Sequence, residues 1–412
     1  MADPTRESAF DLLTAVLERH RTLEEALDGL PAQEPRDRAA AHRLAAAVLR
    51  RLGTLDAVLE PFLRKEPPEP VRNILRIGAA GLLLLDTPDH AAVATAVGLA
   101  KRRGLTPFAG LINAVLRKVA AAGPGVLEDL DVARLDTPAW LWTAWGQSAR
   151  AIASAHQTEA PLDVTLKPGT PVPPGGVLLP TGSVRFPPGT RVAEIQGFEN
   201  GDLWVQDAAA ALPARLLEVR PGERVADLCA APGGKTAQLA AGGAVVTALE
   251  RDPARIERLT ANLKRWGLHA DVINADATTW TAPEPFDAVL LDAPCSATGT
   301  IRRHPDVARI KRPRDVQTVI QAQDKLLEAA AAMLRNGGRL IYAVCSLQPE
   351  EGAPRVASVV AKTGLRHDPF RPEELAAIPE ARTAEGFLRT HPGLWRDRGG
   401  MDGFFAARLL KP

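Results

Sequence analysis

Apolar residues recur at three- and four-residue spacing through roughly the first 122 positions, and nowhere there do they alternate one by one. Ala9, Leu12, Leu13, Val16 and Leu17 fall on one face, behind Asp3 as a candidate cap and Pro4 at the first helical position. The same spacing returns in Leu44, Val48, Leu49 and Leu52. It returns again from Val71, Ile74 and Leu75 along a nearly uncharged run to Leu85, and in Leu111, Ile112, Val115, Leu116 and Val119. A compact bundle of helices follows from this pattern. Gly123-Pro124-Gly125 interrupts it and opens a linker, after which a short helix carries Trp140, Trp142 and Trp145, read as core or interface residues. Between Leu162 and Val205 the helical period is gone. Short β-type runs at Val164 to Leu166, Val177 to Leu179 and Val184 to Phe186 alternate with Pro/Gly turns, which predicts a small sheet. From about Gly201 strands alternate with helices. The strands are Val225 to Leu228, Ala244 to Leu249, Val272 to Ile273, Phe286 to Leu291 and Leu340 to Val344, and the two clearest helices are Pro253 to Trp266 and Val316 to Leu334. Ala406 to Leu410 reads as a closing strand. That alternation predicts an α/β domain with a mostly parallel sheet covered on both faces. The expected domains are therefore residues 1–122, 126–200 and 201–412.

Candidate chemistry sits at the ends of the strands. The segment Val225 to Leu228 runs into Cys229-Ala230-Ala231-Pro232-Gly233-Gly234-Lys235-Thr236, a small, glycine-bearing loop before a helix. Gly233 and Gly234 permit a close backbone approach to a ligand. Glu250 ends the next strand 17 residues after Gly233, where a carboxylate can accept from both hydroxyls of a ribose. Asp276 ends the third strand region and is placed for the base of the same nucleoside. The loop lacks the G-x-x-x-x-G-K-[ST] form, which disfavours a triphosphate. Asp292-Ala293-Pro294-Cys295 and Cys345-Ser346 close two further strands, and two cysteines at strand ends beside a nucleoside site point to covalent chemistry.

Composition narrows the setting. The chain has 412 residues, of which 46% are hydrophobic, enough for more than one core. A net charge of +1 announces no global field for a nucleic acid, so any basic footprint is local. Arginine outnumbers lysine roughly fourfold, which suits bidentate phosphate contacts. The cysteines Cys229, Cys295 and Cys345 are odd in number and widely spaced, which fits neither a paired disulfide framework nor a zinc site. No apolar run reaches the length of a membrane span, and the start holds no signal-type apolar region. A cytoplasmic protein of a reducing compartment, without a resident metal and without a membrane anchor, is expected; a monomer is the favoured state.

The three strand-end segments together resemble the RNA cytosine-C5 methyltransferase family that includes bacterial RsmB and the eukaryotic Nop2/Sun proteins. The helical N-terminus is similar to the NusB-type RNA-binding domain carried by the RsmB members. This resemblance implies a class I, Rossmann-like S-adenosylmethionine methyltransferase domain, preceded by an all-α NusB-like bundle and a small α+β RNA-contacting subdomain. It implies that Cys229 to Lys235, Glu250, Asp276 and Asp292 hold S-adenosylmethionine. It also implies that Cys345 attacks C6 of a cytosine, that Cys295 assists product release, that Asp292 meets N3 of the base, and that Lys235 supports the site. Val344 stands where the family usually has Thr. The DNA-type enzymes place their nucleophile in a Pro-Cys, which would select Cys295 instead. The rRNA substrate, 16S rRNA, is implied by the N-terminal resemblance; the catalytic motifs themselves are shared with tRNA-modifying relatives. A catalytically silent RNA-binding assembly factor is the reading from another class, and the intact Cys295, Cys345, Asp292 and Lys235 oppose it. Arg302, Arg303, Arg309, Lys311 and Arg312 follow Cys295 closely and are the expected RNA contacts, since phosphate contacts position a substrate whose target base must leave its stack. Gly399 to Phe405 matches the family's closing motif and is expected to wall the pocket.

Overall fold

The computed structural model describes residues 3–412, which divide into two compact units. The first holds the residues up to Thr158 together with Ile301–Lys311, and the second holds Glu159–Thr300 and Arg312–Pro412.

In the first unit, helices Pro4–Leu17, Leu23–Asp28, Pro35–Arg50, Leu52–Leu59, Glu69–Leu84, Asp89–Arg102 and Ala109–Ala122 bury the apolar stripes read from the sequence. Leu12, Leu13, Leu49, Ile74, Leu75 and Leu116 are wholly inside. Asp3 caps the first helix, its Oδ1 accepting from the Arg6 amide at 3.1 Å. The unit does not stop at residue 122. Helices Val132–Leu135, Ala139–Trp145 and Ala149–Ala155 belong to it as well. The reason is Asp136, which is 6% exposed and accepts from the Thr54 amide and hydroxyl, both at 2.8 Å, while pairing with Arg51 at 3.1 Å. Buried carboxylates require such partners. Gly53 allows the approach, because a Cβ there would lie 2.0 Å from the Leu135 carbonyl oxygen.

The second unit contains two sheets. Strands β1 (Leu162–Leu166), β2 (Val177–Leu178), β3 (Val184–Phe186) and β4 (Leu203–Val205) form a small antiparallel sheet in the order β2-β3-β1-β4. Its last strand lies past the boundary at 200 that the sequence suggested. The Asp163–Arg185 ion pair, 2.6 Å and buried, ties β1 to β3. The Arg185 guanidinium also donates to the Gly400 carbonyl at 2.8 Å, anchoring the Gly-rich closing segment.

The large sheet comprises β5 (Arg224–Leu228), β6 (Val245–Glu250), β7 (Asp271–Asn274), β8 (Phe286–Asp292), β9 (Leu334–Val344), β10 (Arg366–His367), β11 (Leu388–Arg389) and β12 (Phe405–Leu410). Its order is β10-β12-β9-β8-β5-β6-β7, with β11 also on β12. Strands β5 to β9 are mutually parallel and β12 runs antiparallel to β9. Helices Gly234–Ala241, Pro253–Trp266, Pro313–Met333 and Ala353–Thr363 accompany them. β9 starts six residues earlier than the apolar run, because Leu334 pairs with Phe286 before a register irregularity leads to Ala288 opposite Arg339. The chain leaves β5 for β6 on one side and returns to β8 on the other. A crevice opens at the carboxyl ends where that direction reverses.

Candidate active site

The carboxyl ends of five parallel strands meet in a cleft of 570 Å³, lined among others by Cys229, Glu250, Asp276, Asp292, Cys295 and Cys345. All the strand-end residues singled out from the sequence therefore share one space, since parallel strands deliver their last residues to the same edge.

The loop after β5 is shaped for close approach. Cys229 has φ +61° and Gly233 φ +105°. A Cβ on Gly233 would sit 2.6 Å from Leu259 Cδ1, so only glycine fits this turn unchanged. Ala230 and Ala231 are buried, and two donors from helix Pro253–Trp266 brace the loop from below: Arg255 to the Ala231 carbonyl at 2.6 Å and Asn262 to the Pro232 carbonyl at 2.9 Å. Burial, with Glu250 next in effect, pushes the Cys229 thiol up to about 12, which keeps it neutral and unreactive.

Glu250 is 3% exposed. Its Oε1 accepts from the amides of Arg251 and Asp252 at 3.0 and 3.2 Å, while Oε2 lies 3.1 Å from Arg255 without an aligned hydrogen bond. A buried acceptor left this way is suited to a ribose hydroxyl. Asp276 lies beyond the end of β7, its Oδ1 fixed by the Thr278 amide (2.8 Å) and hydroxyl (2.6 Å). An orphaned acceptor at Glu250 and a loop that excludes a side chain at Gly233 fit the nucleoside part of S-adenosylmethionine.

The reacting side chains gather at the ends of β8 and β9. The Cys295 and Cys345 sulfurs are 3.3 Å apart. Beside them Lys235 Nζ contacts Asp292 Oδ2 at 2.7 Å and lies 5.3 Å from the centre of the Phe404 ring. Burial works against the Lys235 charge, but Asp292, followed by Cys345, outweighs it and raises the ammonium above its ordinary value. The Cys295 thiol is pushed well up, first by its hydrogen bond to Cys345 and then by burial, so Cys295 keeps its proton next to Cys345. Asp227, at the end of β5 and bonded to the Thr236 hydroxyl at 2.6 Å, is pushed up to about 7 by burial, against the pull of that hydrogen bond. Gly299 threads between the closing segment and β9: its amide donates to the Cys345 carbonyl at 3.0 Å and its carbonyl accepts from Gly403 at 2.8 Å. In this way Gly399 to Phe405 reaches the cysteine loops through the backbone.

The arginines after Cys295 require a correction. Arg302 is 1% exposed, and Arg309 donates to the carbonyls of Leu49 (3.0 Å) and Asp136 (2.8 Å) inside the helical unit. Burial lowers Arg309 to about 10. These two side chains pack the unit rather than facing RNA. Arg303 and Lys311 are half-buried, with Arg303 Nη1 3.4 Å from His304 Nε2, and Arg312 is exposed. The spacing of the arginines showed a charge run but not which of them turn inward.

Several residues of the site carried no sequence signal. Arg255 braces the cofactor loop, and Gln323, Glu351 and Ser296 join Ser346, already marked by the Cys345-Ser346 strand end, in a buried polar cluster behind the two cysteines. Glu351 stands six residues after Cys345 among ordinary-looking acids, and only the folded backbone reveals that it points inward.

A nucleoside-shaped crevice at the switch point of this sheet, followed by the loop and acids described, defines a class I S-adenosylmethionine-dependent methyltransferase. Comparison with known proteins places it further. Residues 214–410 match the family described as 16S rRNA methyltransferase RsmB/F, and residues 3–121 match the NusB family. The ribosomal RNA small subunit methyltransferase B of Thermus thermophilus is 40% identical across 91% of this chain and 89% of its own. Its counterpart in Xanthomonas campestris is 35% identical across 99% of this chain and 97% of its own. Among solved structures, PH0851 shares the fold over 100% of this chain and 99% of its own, with a TM-score of 0.78 at 23% identity. The chain belongs to the RsmB/F family of rRNA methyltransferases, with S-adenosylmethionine as methyl source.

Proposed function

We propose that this protein methylates C5 of a cytosine in 16S rRNA through a covalent bond from Cys345 to C6, and that it works in the cytoplasm. The observation that carries this reading is the pair of sulfurs 3.3 Å apart beside the Lys235–Asp292 ion pair at the mouth of the cofactor cleft.

C5 of cytosine is a poor nucleophile, and addition of a thiolate at C6 converts it into the carbon end of an enamine. Of the two cysteines Cys345 is assigned the attack, because it lies close enough to the buried ammonium of Lys235 to interact with it while Cys295 retains its proton. Asp292, held by Lys235, offers its second oxygen to the N3 edge of the base and relays the proton that N3 gains during addition. Bound S-adenosylmethionine supplies an electrophilic methyl group, accepted by C5. The proton that reaches N3 through Asp292 during the addition comes from the Cys295 thiol, and the thiolate so formed then removes the C5 proton; the C6–S bond breaks, the ring regains its double bond and N3 gives up its proton through Asp292 to solvent. Cys345 leaves as the thiolate it began as. Glu250 and Asp276 hold the nucleoside of the cofactor, and the loop Cys229 to Lys235 excludes water from beneath it. Arg303, Lys311 and Arg312 remain the candidates for phosphate contacts.

The test is methylation of unmodified 16S rRNA and of tRNA by the purified protein with labelled S-adenosylmethionine, mapped by bisulfite sequencing. One protected cytosine in 16S rRNA is the expected outcome. Label on tRNA alone would move the substrate, and no label on either would remove the enzymatic reading.

A further inference from the structure

Behind the two cysteines lies a carboxylate that the proposed chemistry does not use. Glu351 is wholly buried. Its Oε1 accepts from the Ser346 hydroxyl at 2.6 Å. Its Oε2 accepts from the Ser296 amide at 3.0 Å and from Gln323 Nε2 at 2.9 Å. Ser346 follows Cys345 and Ser296 follows Cys295, so one carboxylate grips the residue after each cysteine. Gln323 also donates to the Pro294 carbonyl at 3.0 Å, which secures the Cys295 loop on its other side. The two loops are further joined by the Ser296 and Ser346 hydroxyls at 3.0 Å. Glu351 is itself held, its carbonyl accepting from the Tyr342 hydroxyl at 2.8 Å. Arg389, buried nearby, donates to the Ser346 carbonyl at 2.6 Å and brings a cation into the same cluster.

We propose that Glu351 is a positioning residue for the reaction: its carboxylate fixes the separation and orientation of the Cys295 and Cys345 thiols. A stabilising role alone does not require the bonds to fall on both cysteine loops at the residue next to the sulfur. Nor does it require a buried charge, which costs more than an apolar side chain of the same volume unless every lone pair is used. The proposed mechanism asks Cys345 and Cys295 to act in turn on adjacent ring carbons, C6 and C5, and a displacement of either sulfur by about 1 Å lowers the rate by about 10²-fold. Glu351 touches neither substrate nor cofactor, so its effect belongs in the chemical step rather than in binding.

This inference rests on the methyltransferase chemistry proposed above, and the test separates the two. In the full-length Glu351→Gln protein the side chain keeps its size, but one acceptor oxygen becomes a donor. The expected result is kcat lower by about 10²-fold with KM for RNA and for S-adenosylmethionine unchanged within about twofold. On the protein without RNA, the relative rates of iodoacetamide alkylation at Cys345 and Cys295, read by peptide mass spectrometry, are expected to change by about tenfold. Should Glu351→Gln fail to fold, Ser346→Ala removes the shortest of the three bonds and carries the same expectations. A folded variant with unaltered kcat and unaltered alkylation ratio would overturn the proposal. If the wild-type protein methylates no RNA, the proposed function fails while the alkylation ratio still decides the role of Glu351.

Discussion

Asp227 offers a perturbation whose size can be worked out from the structure. It lies at the end of β5, 1% exposed, with Oδ2 bonded to Thr236 and Oδ1 without a partner. In the folded protein it titrates at about 7, against an ordinary value of 3.8, because burial disfavours the charged form more than the Thr236 hydroxyl favours it. The folded state therefore binds one more proton than the unfolded state between those two values. The stabilisation from that proton is complete below the unfolded value and is lost as pH rises through 7. About three pH units of difference correspond to about 4 kcal/mol. Asp227→Asn mimics the protonated form at every pH, since its amide oxygen can still accept from Thr236. Urea unfolding of both proteins at intervals from pH 4 to 8 measures the effect, following the transition that S-adenosylhomocysteine shifts. The difference, variant minus wild type, should climb by about 4 kcal/mol across that range, whatever its starting offset. A difference that stays flat from pH 4 to 8 would show that Asp227 is charged in the folded state throughout, refuting the burial argument.

Other outcomes follow from single contacts. Glu250→Gln keeps an acceptor for the Arg251 and Asp252 amides but turns the second oxygen, the one beside Arg255, into a donor, so calorimetry should show S-adenosylhomocysteine binding weakened by about 10- to 100-fold with little change in melting temperature. Arg309→Met strands the carbonyls of Leu49 and Asp136 and should destabilise the helical unit by about 2–4 kcal/mol in urea unfolding, whereas Arg312→Ala should leave stability intact and reduce the salt slope of RNA binding by about 1. In Gly299→Ala the new Cβ would fall 1.9 Å from the Gly403 carbonyl oxygen. The resulting shift of the loop that bonds the Cys345 carbonyl should lower kcat by about 10²-fold, measured by single-turnover methylation.

The periodicity of the chain carried the architecture well where one physical signal dominated. Helix stripes such as Leu12-Leu13-Val16 and the β–α alternation after Val225 depend only on which face is buried, and both appear in the fold as read. The strand-end positions of Glu250, Asp292, Cys295 and Cys345 followed from that alternation, because parallel strands converge at one edge. What the pattern hid were features set by long-range polar contacts. Asp136 draws three helices beyond Gly123 into the first unit through Thr54 and Arg51, some eighty residues earlier in the chain, and no local spacing encodes that. Arg302 and Arg309 were expected to contact RNA from their place in a cationic run, whereas Arg302 is buried and Arg309 donates to the carbonyls of Leu49 and Asp136. Glu351 belongs to the same class: burial of a carboxylate is decided by donors on other elements, here Ser296, Gln323 and Ser346.

The central claim, that Cys345 bonds to the base and Cys295 releases it, is tested most directly by trapping the intermediate. Cys295→Ala and Cys345→Ala proteins are each incubated with labelled, unmodified 16S rRNA and S-adenosylmethionine, then run on a denaturing gel. Cys295→Ala should attack and transfer but fail to eliminate, giving a slow band of RNA joined to protein, while Cys345→Ala should give no such band and no methylation. The reverse pattern, a band that persists in Cys345→Ala and vanishes in Cys295→Ala, would contradict the assignment and place the nucleophile at the end of β8.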